Sequence, residues 1–115
     1  MNPLGYSPSA ATPRGAWDAP VAAGPMGATV TVPGSKSLTN RELVLAAIAD
    51  GPGTLHAPLH SDDSARMIDA LRALGVGIDE IDTDSPFGPD LLVTPPSSFL
   101  GGTTIDCGQA GTVMR

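Results

Sequence analysis

The spacing of apolar positions divides the chain into a series of predicted elements. The β-branched run at residues 29–32 predicts a short strand. Pro33 and Gly34 then force a turn, and the apolar residues beyond it recur at helical spacing, so we expect a helix to begin near Ser37. Glycine and proline at residues 51–53 end this helical pattern. The apolar positions of the predicted helix are Leu43, Val44, Ala47 and Ile48.

The second half of the chain shows the same change of spacing. Ser61 is placed to cap a second helix, which Gly75 ends, and another helix is expected to start at Val113. The order of strand, helix, strand, helix and then two or three strands predicts an α/β unit. The remaining strand candidates are residues 54–57, 77–81, 91–94 and 103–107.

Composition limits the classes of function. The chain has 115 residues, 41% of them hydrophobic, which is enough for one core. Its formal net charge of −6 argues against a nucleic-acid partner, because no basic run is present to neutralise a phosphate backbone. Cys107 is the single cysteine, so a disulfide or a thiolate zinc site within the chain is not expected. A reducing cytoplasm fits this, and we expect no metal site.

Residues 1–28 contain five prolines among many glycine, alanine and serine residues. No apolar run in this segment is long enough to cross a membrane, and no charged region precedes an apolar core as in a secretory signal. We interpret residues 1–28 as a flexible leader and residues 29–115 as the folded part.

The segment Pro33-Gly34-Ser35-Lys36-Ser37-Leu38-Thr39-Asn40-Arg41 has the features of an anion site. Lys36 is the only lysine of the chain. The first N–H groups of a helix beginning here have no intrahelical partner, and they attract phosphate or carboxylate oxygens. Ser37 and Arg41 are four residues apart, so they share one helix face and can contact the same oxyanion.

A purely structural role is the alternative for this segment. Ser37 or Thr39 could cap the helix, and Thr39 with Glu42 satisfies the capping-box spacing. A cap leaves the lysine and arginine unexplained in an acidic chain. The order of residues also differs from a Walker loop, because no glycine directly precedes Lys36.

Three ordered motifs give the chain a family resemblance. They are residues 33–41, the Ser61-Asp62-Asp63 segment with the helix that ends at Leu74-Gly75-Val76, and Gly108-Gln109-Ala110-Gly111-Thr112-Val113-Met114-Arg115. Together they resemble the N-terminal portion of the 5-enolpyruvylshikimate-3-phosphate synthases, over about residues 29 to 115.

The resemblance implies a fold and an activity. The fold is part of an enolpyruvyl transferase domain, built from βαβαββ units whose helices are enclosed by sheets. The implied reaction transfers the enolpyruvyl group of phosphoenolpyruvate to the 5-hydroxyl of shikimate 3-phosphate and releases phosphate, without cofactor or metal. Family enzymes are several times longer and are expected to be monomers. The resemblance therefore implies a truncated domain, and we expect this chain alone to lack turnover.

The resemblance also implies roles for individual residues. Lys36 would contact both substrates and stabilise the leaving phosphate, Ser37 and Arg41 would bind shikimate 3-phosphate, and Gly111 would line the phosphoenolpyruvate pocket. Asp63 would face the cleft close to the lysine. The other secondary candidates are Gln109, which stands where most family members have asparagine, and its neighbours Thr112 and Arg115.

Two other functions stay open at this point. UDP-N-acetylglucosamine enolpyruvyl transferase shares the fold and the donor, but asparagine typically follows its lysine, where this chain has Ser37. A small anion-binding module without catalysis is the candidate from another class.

Overall fold

The computed structural model describes residues 15–17 and 19–115. The chain divides into two units, Met1–Thr31 and Val32–Arg115. The described residues of the first unit are exposed and lie in no helix or strand. Residues 1–14 and 18 of the predicted leader lie outside the described part, and the flexibility of the leader stays a prediction.

The second unit combines helices with one antiparallel sheet. Its mixture of helix and strand confirms the predicted α/β class. The sheet has the order β1-β3-β2, and both pairings are antiparallel. The elements along the chain are α1 (Lys36–Ala47), β1 (Gly53–Leu55), α2 (Asp62–Ala73), β2 (Gly77–Ile81), β3 (Asp90–Thr94) and α3 (Gly111–Met114).

The core lies between one face of the sheet and the two longer helices. Val93 of β3 is opposite Ile78 of β2, and Leu91 is opposite Leu55 of β1, so all four side chains point to the same face. Leu43 and Ala47 of α1 pack against them, together with Met67, Ile68 and Leu71 of α2. Of the four apolar positions predicted for the first helix, Leu43 and Ala47 are buried, whereas Val44 and Ile48 are exposed. The buried face of α1 is therefore narrower than predicted.

Two predicted strands are wrong. Residues 29–32 and 103–107 form no strand. A β-branched run becomes a strand only when a second strand pairs with it, and no described segment pairs with either run. The predicted strand at residues 54–57 is also shorter, because Ala57 takes a left-handed φ of 48° and Pro58 has no N–H to donate. The strands predicted at residues 77–81 and 91–94 are confirmed.

Local signals explain where α2 begins and ends. Ser61 caps the helix as predicted: its Oγ accepts a hydrogen bond from the Ser64 N–H at 3.3 Å, and the Ser61 N–H donates to Ser64 Oγ at 2.7 Å. Gly75 ends the helix with a positive φ of 95°, and the Leu100 N–H then donates to the Leu74 carbonyl at 2.8 Å. The helices of the described part are all too short or too polar to cross a membrane.

Candidate active site

The segment with the lone lysine forms the N-terminus of α1. Ser35, with extended backbone angles of −73° and 132°, is the cap, and its Oγ lies 3.5 Å from the Leu38 nitrogen. Lys36 and Ser37 are the first two helical residues, so their N–H groups have no carbonyl one turn earlier to bind. The structure therefore places an ammonium group, a hydroxyl and free N–H donors at one helix end.

The alternative caps are not formed. Thr39 lies inside the first turn of α1 and is buried, and its Oγ1 accepts a hydrogen bond from the Leu59 N–H at 2.9 Å. The Thr39 hydroxyl thus holds the loop after β1 and caps nothing. The expected capping box with Glu42 fails because the helix starts three residues before Thr39.

Lys36 is paired with Asp63. Its Nζ lies 2.9 Å from Asp63 Oδ2, and the two side chains are 50% and 23% exposed. Asp63 is the second residue of α2, so the pair joins the N-terminal turns of both long helices. Asp62, its neighbour, is exposed. The contact between the lysine and the second aspartate is therefore present, and it leaves half of the lysine surface open to a ligand.

Arg41 does not join this pair. It lies five residues after Lys36, a spacing that directs the two side chains to different sides of the helix, whereas Ser37 and Arg41 share a face. Arg41 lines an open hollow of about 350 Å³ together with Asn40, Val44, Leu45 and Thr112. Within the described part of the chain, Arg41 and Thr112 thus line one hollow. Lys36 and Asp63 form a separate pair at the first turns of α1 and α2.

Asn40 is a residue that the sequence reasoning missed. It is 1% exposed, and its Nδ2 donates a hydrogen bond of 2.6 Å to Thr112 Oγ1 in α3. Its Oδ1 is buried without a partner among the described residues. The sequence does indicate that Asn40 is buried. It precedes Leu43 and Ala47 at helical spacing, so it is a polar residue on the buried stripe of α1. It fixes Thr112, and with it the adjacent Gly111, against the helix that carries Lys36.

Gly111 opens α3 with free space around it. A Cβ added there would meet no atom within 4 Å. Gln109 and Arg115, the flanking secondary candidates, are exposed. The structure therefore places Gly111 and Thr112 at a single short helical turn next to α1, and nothing within the described residues fills the space in front of Gly111.

An ion pair holds the turn that precedes Gly111. Asp106 Oδ1 accepts a hydrogen bond from the Gly108 N–H at 2.8 Å, and Oδ2 lies 2.9 Å from Arg66 Nη1 of α2. These contacts lower the pKa of Asp106, and the hydrogen bond from Gly108 is the largest single cause, followed by the hydrogen bond and the charge of Arg66. Gly108 has a positive φ of 51°, and an added Cβ would collide with the Arg66 side chain. The turn is therefore anchored to α2, while Asn40 anchors α3 to α1.

Comparison with known proteins identifies the family. The model of the family "EPSP synthase (3-phosphoshikimate 1-carboxyvinyltransferase)" matches residues 21–115. A 3-phosphoshikimate 1-carboxyvinyltransferase of Kocuria rhizophila is 52% identical over 103 residues, which cover 86% of this chain and 23% of the relative. One of Bifidobacterium longum is 54% identical over 101 residues, covering 86% of this chain and 22% of the relative. The chain thus spans less than a quarter of the length of these curated relatives. By the match over residues 21–115, the chain belongs to the EPSP synthase family.

Proposed function

We propose that the whole protein transfers the carboxyvinyl group of phosphoenolpyruvate to the 5-hydroxyl of shikimate 3-phosphate and releases phosphate. The family match and the names of the two relatives support this reaction. The observation that carries the proposal is the position of Lys36. The only lysine of the chain stands half-exposed at the N-terminus of α1, beside Ser37 and the free N–H groups of the first turn.

The chemistry of this reaction calls for such a site. The 5-hydroxyl loses its proton as its oxygen attacks C2 of phosphoenolpyruvate, and a proton is added at C3. The tetrahedral adduct then loses phosphate from C2 and a proton from C3, which forms the carboxyvinyl ether. Both substrates are anions, and negative charge moves onto the phosphate as it leaves. Preorganised cations and N–H dipoles stabilise that charge best, because they need no reorganisation during the reaction. Lys36 takes this role, and it contacts both substrates.

The remaining candidate residues bind shikimate 3-phosphate or line the phosphoenolpyruvate pocket. Ser37 and Arg41 lie on the same face of α1 and bind shikimate 3-phosphate. Gly111 borders the phosphoenolpyruvate pocket, where the open space in front of it admits the ligand. Gln109, Thr112 and Arg115 flank that pocket as secondary contacts.

Asp63 holds the lysine until substrate arrives. A partly exposed ion pair contributes only about 0.2–1 kcal/mol, because water screens it and ordering two side chains has an entropic cost. A substrate oxyanion can therefore draw the ammonium group into its own hydrogen bonds without a large loss. Asp63 limits the directions that the lysine takes in the meantime.

The setting of the reaction is part of the proposal. We propose a cytoplasmic monomer that uses neither cofactor nor metal. The 115-residue chain on its own is expected to lack turnover, because it spans less than a quarter of the length of its relatives. The family resemblance implies that the acid-base carboxylates lie in the remaining part.

The test is a product assay with the full-length protein. Phosphate release should require both phosphoenolpyruvate and shikimate 3-phosphate, and UDP-N-acetylglucosamine should not replace the latter. Lys36→Ala should lower kcat by at least about 100-fold, since removing one preorganised donor to a developing anion has effects of this size. The melting temperature should change little, because the lysine is half-exposed. Lys36→Arg is the matched control that keeps the charge. Undiminished turnover in Lys36→Ala would refute the assigned role, and no release with both substrates would refute the function.

A further inference from the structure

Ala57 adopts a left-handed backbone conformation in the turn after β1, with a φ of 48°. A residue with a Cβ rarely keeps this conformation unless the surrounding structure holds it. Within the described part of the chain, Ala57 is the one non-glycine residue with positive φ. The turn of residues 57–59 therefore depends on contacts made by other segments.

Both carboxylate oxygens of Asp90 hold this turn. Oδ1 accepts a hydrogen bond from the Ala57 N–H at 2.9 Å, and Oδ2 lies 2.6 Å from Nδ1 of His56. Asp90 is the first residue of β3, and the pairing of Leu55 with Leu91 brings it beside the end of β1. These contacts, the Ala57 hydrogen bond above all, lower the pKa of Asp90.

The other side of the turn contacts the segment that leads into α1. A Cβ added to Gly34 would lie 2.7 Å from the Ala57 carbonyl oxygen and 3.3 Å from the Leu59 nitrogen, so the two backbones touch and only glycine fits. The Leu59 N–H donates to Thr39 Oγ1 at 2.9 Å. The turn therefore contacts the chain on both sides of Lys36 and Ser37: at Gly34, just before α1, and at Thr39 inside α1.

We propose that Asp90 is a positioning residue for the N-terminus of α1. Its carboxylate holds the turn of residues 57–59, and that turn holds Gly34 and Thr39 in place. Asp90 itself touches no substrate. The kinetic consequence rests on the proposed function: when the turn loosens, the first turn of α1 shifts, and the binding of shikimate 3-phosphate by Ser37 weakens. Phosphoenolpyruvate is affected less, because only Lys36 of this turn contacts it, whereas Lys36 and Ser37 both contact shikimate 3-phosphate. The turn before Gly111 is also anchored to α2 through Asp106 and Arg66.

The experiment compares variants of the full-length protein. Asp90→Ala removes both acceptors, whereas Asp90→Asn keeps an acceptor for the Ala57 N–H and loses the charge beside His56. Gly34→Ala separates the same two backbones from the other side. Asp79→Ala is the control, because it removes an exposed carboxylate from the same sheet without a hydrogen bond to the turn. Steady-state kinetics give KM for each substrate. Amide hydrogen exchange of Thr39 and Leu59 without substrate gives a readout that needs no activity, because these N–H groups donate to the Ser35 carbonyl and to Thr39 Oγ1.

Asp90→Ala should raise KM for shikimate 3-phosphate by about 10- to 100-fold and KM for phosphoenolpyruvate much less, because a misplacement of about 1 Å can cost about 100-fold. Gly34→Ala should change the two KM values in the same way. The Gly34→Ala and Asp90→Ala double variant should differ little from either single variant, and the KM values of Asp90→Asn should stay near those of the parent. Exchange of the Thr39 and Leu59 amides should be faster in Asp90→Ala. If that variant does not fold, Asp90→Glu replaces it with the same expectation.

Three results would overturn the inference. They are unchanged exchange and KM values in Asp90→Ala, equal losses for both substrates, and an Asp90→Asn variant as impaired as Asp90→Ala. Failure of the proposed function is distinguishable from all three. In that case the parent protein itself would show no carboxyvinyl transfer, while the exchange measurement would still test the contact between the turn and α1.

Discussion

The Nζ atom of Lys36 lies 2.9 Å from Oδ2 of Asp63, and this ion pair joins the first turns of α1 and α2. Two helix N-termini that meet would otherwise present two partial positive charges and an ammonium group to each other. The Asp63 carboxylate compensates for these positive charges, because negative side chains are favourable in the first turn of a helix. The ion pair thus holds the Lys36 ammonium group close to the position from which, in the proposed reaction, it contacts the substrates.

Asp63→Asn should lower turnover without an equal loss of binding. The amide keeps the shape of the side chain but no longer directs the ammonium group of Lys36. We expect kcat to fall about tenfold, since misdirected groups lose part of their transition-state contact, while the affinity for shikimate 3-phosphate changes little. Asp62→Asn is the matched control, because it removes the same charge from the same helix turn at an exposed position. Equal kinetics in the two variants would contradict a directing role for Asp63.

The hydrogen bond between Asn40 and Thr112 should be the main link between α1 and α3. Thr112→Val removes the hydroxyl and leaves the buried Asn40 Nδ2 without its partner at 2.6 Å. We expect the free energy of unfolding to fall by about 1–3 kcal/mol, the usual cost of an unpaired buried donor. Asn40→Ala should be destabilising too, and a double-mutant cycle should show coupling of about 0.5–3 kcal/mol.

Thr112→Ser provides the control for this link, because it retains the hydroxyl while losing the methyl group. Urea denaturation of the parent, the two single variants, the double variant and Thr112→Ser measures each free energy. Additive effects of Asn40→Ala and Thr112→Val would show that the contact carries no energy of its own.

Gly111→Ala should separate ligand binding from stability. The added Cβ meets no atom of the described chain within 4 Å, so the free energy of unfolding should stay within about 0.5 kcal/mol of the parent value. The methyl group enters the space that we assign to phosphoenolpyruvate, and the affinity for this ligand should fall more than that for shikimate 3-phosphate. Calorimetric titration of the full-length protein measures both.

Gly108→Ala is the contrasting variant. Here the positive φ of 51° should lower stability, and the added Cβ should displace the Arg66 side chain from its contact with Asp106, so that both ligands are affected through the turn. If Gly111→Ala weakened both ligands equally, or destabilised the fold as Gly108→Ala is expected to, the pocket assignment would be wrong.

The local features of the fold and site follow from the sequence, and the non-local ones do not. Ser61, Gly75 and the start of α1 were predicted because caps and helical spacing act over a few residues. The strand predicted at residues 103–107 failed because β-branched composition does not supply a pairing partner. The sequence spacing also gives no hint that Asn40 meets Thr112, 72 residues later, or that Asp90 meets Ala57, 33 residues earlier. Such contacts exist only once the sheet and helices have assembled.

The Asp106 carboxylate should make stability depend on pH in the acid range. The Gly108 hydrogen bond and Arg66 hold the pKa of Asp106 below its ordinary value of 3.8 in the folded chain. The unfolded chain takes up its proton first as the pH falls, so the stabilisation is complete above pH 3.8 and is lost as the pH drops through the lower folded-state pKa. Asp106→Asn removes this titration while leaving an oxygen acceptor for Gly108. The stability gap between the parent and this variant, measured by urea denaturation, should therefore close as the pH falls below 3.8. Asp79→Asn, at an exposed position of β2, controls for the general loss of one negative charge. A gap for Asp106→Asn that stays constant across the acid range would mean that the carboxylate contacts add nothing to folding.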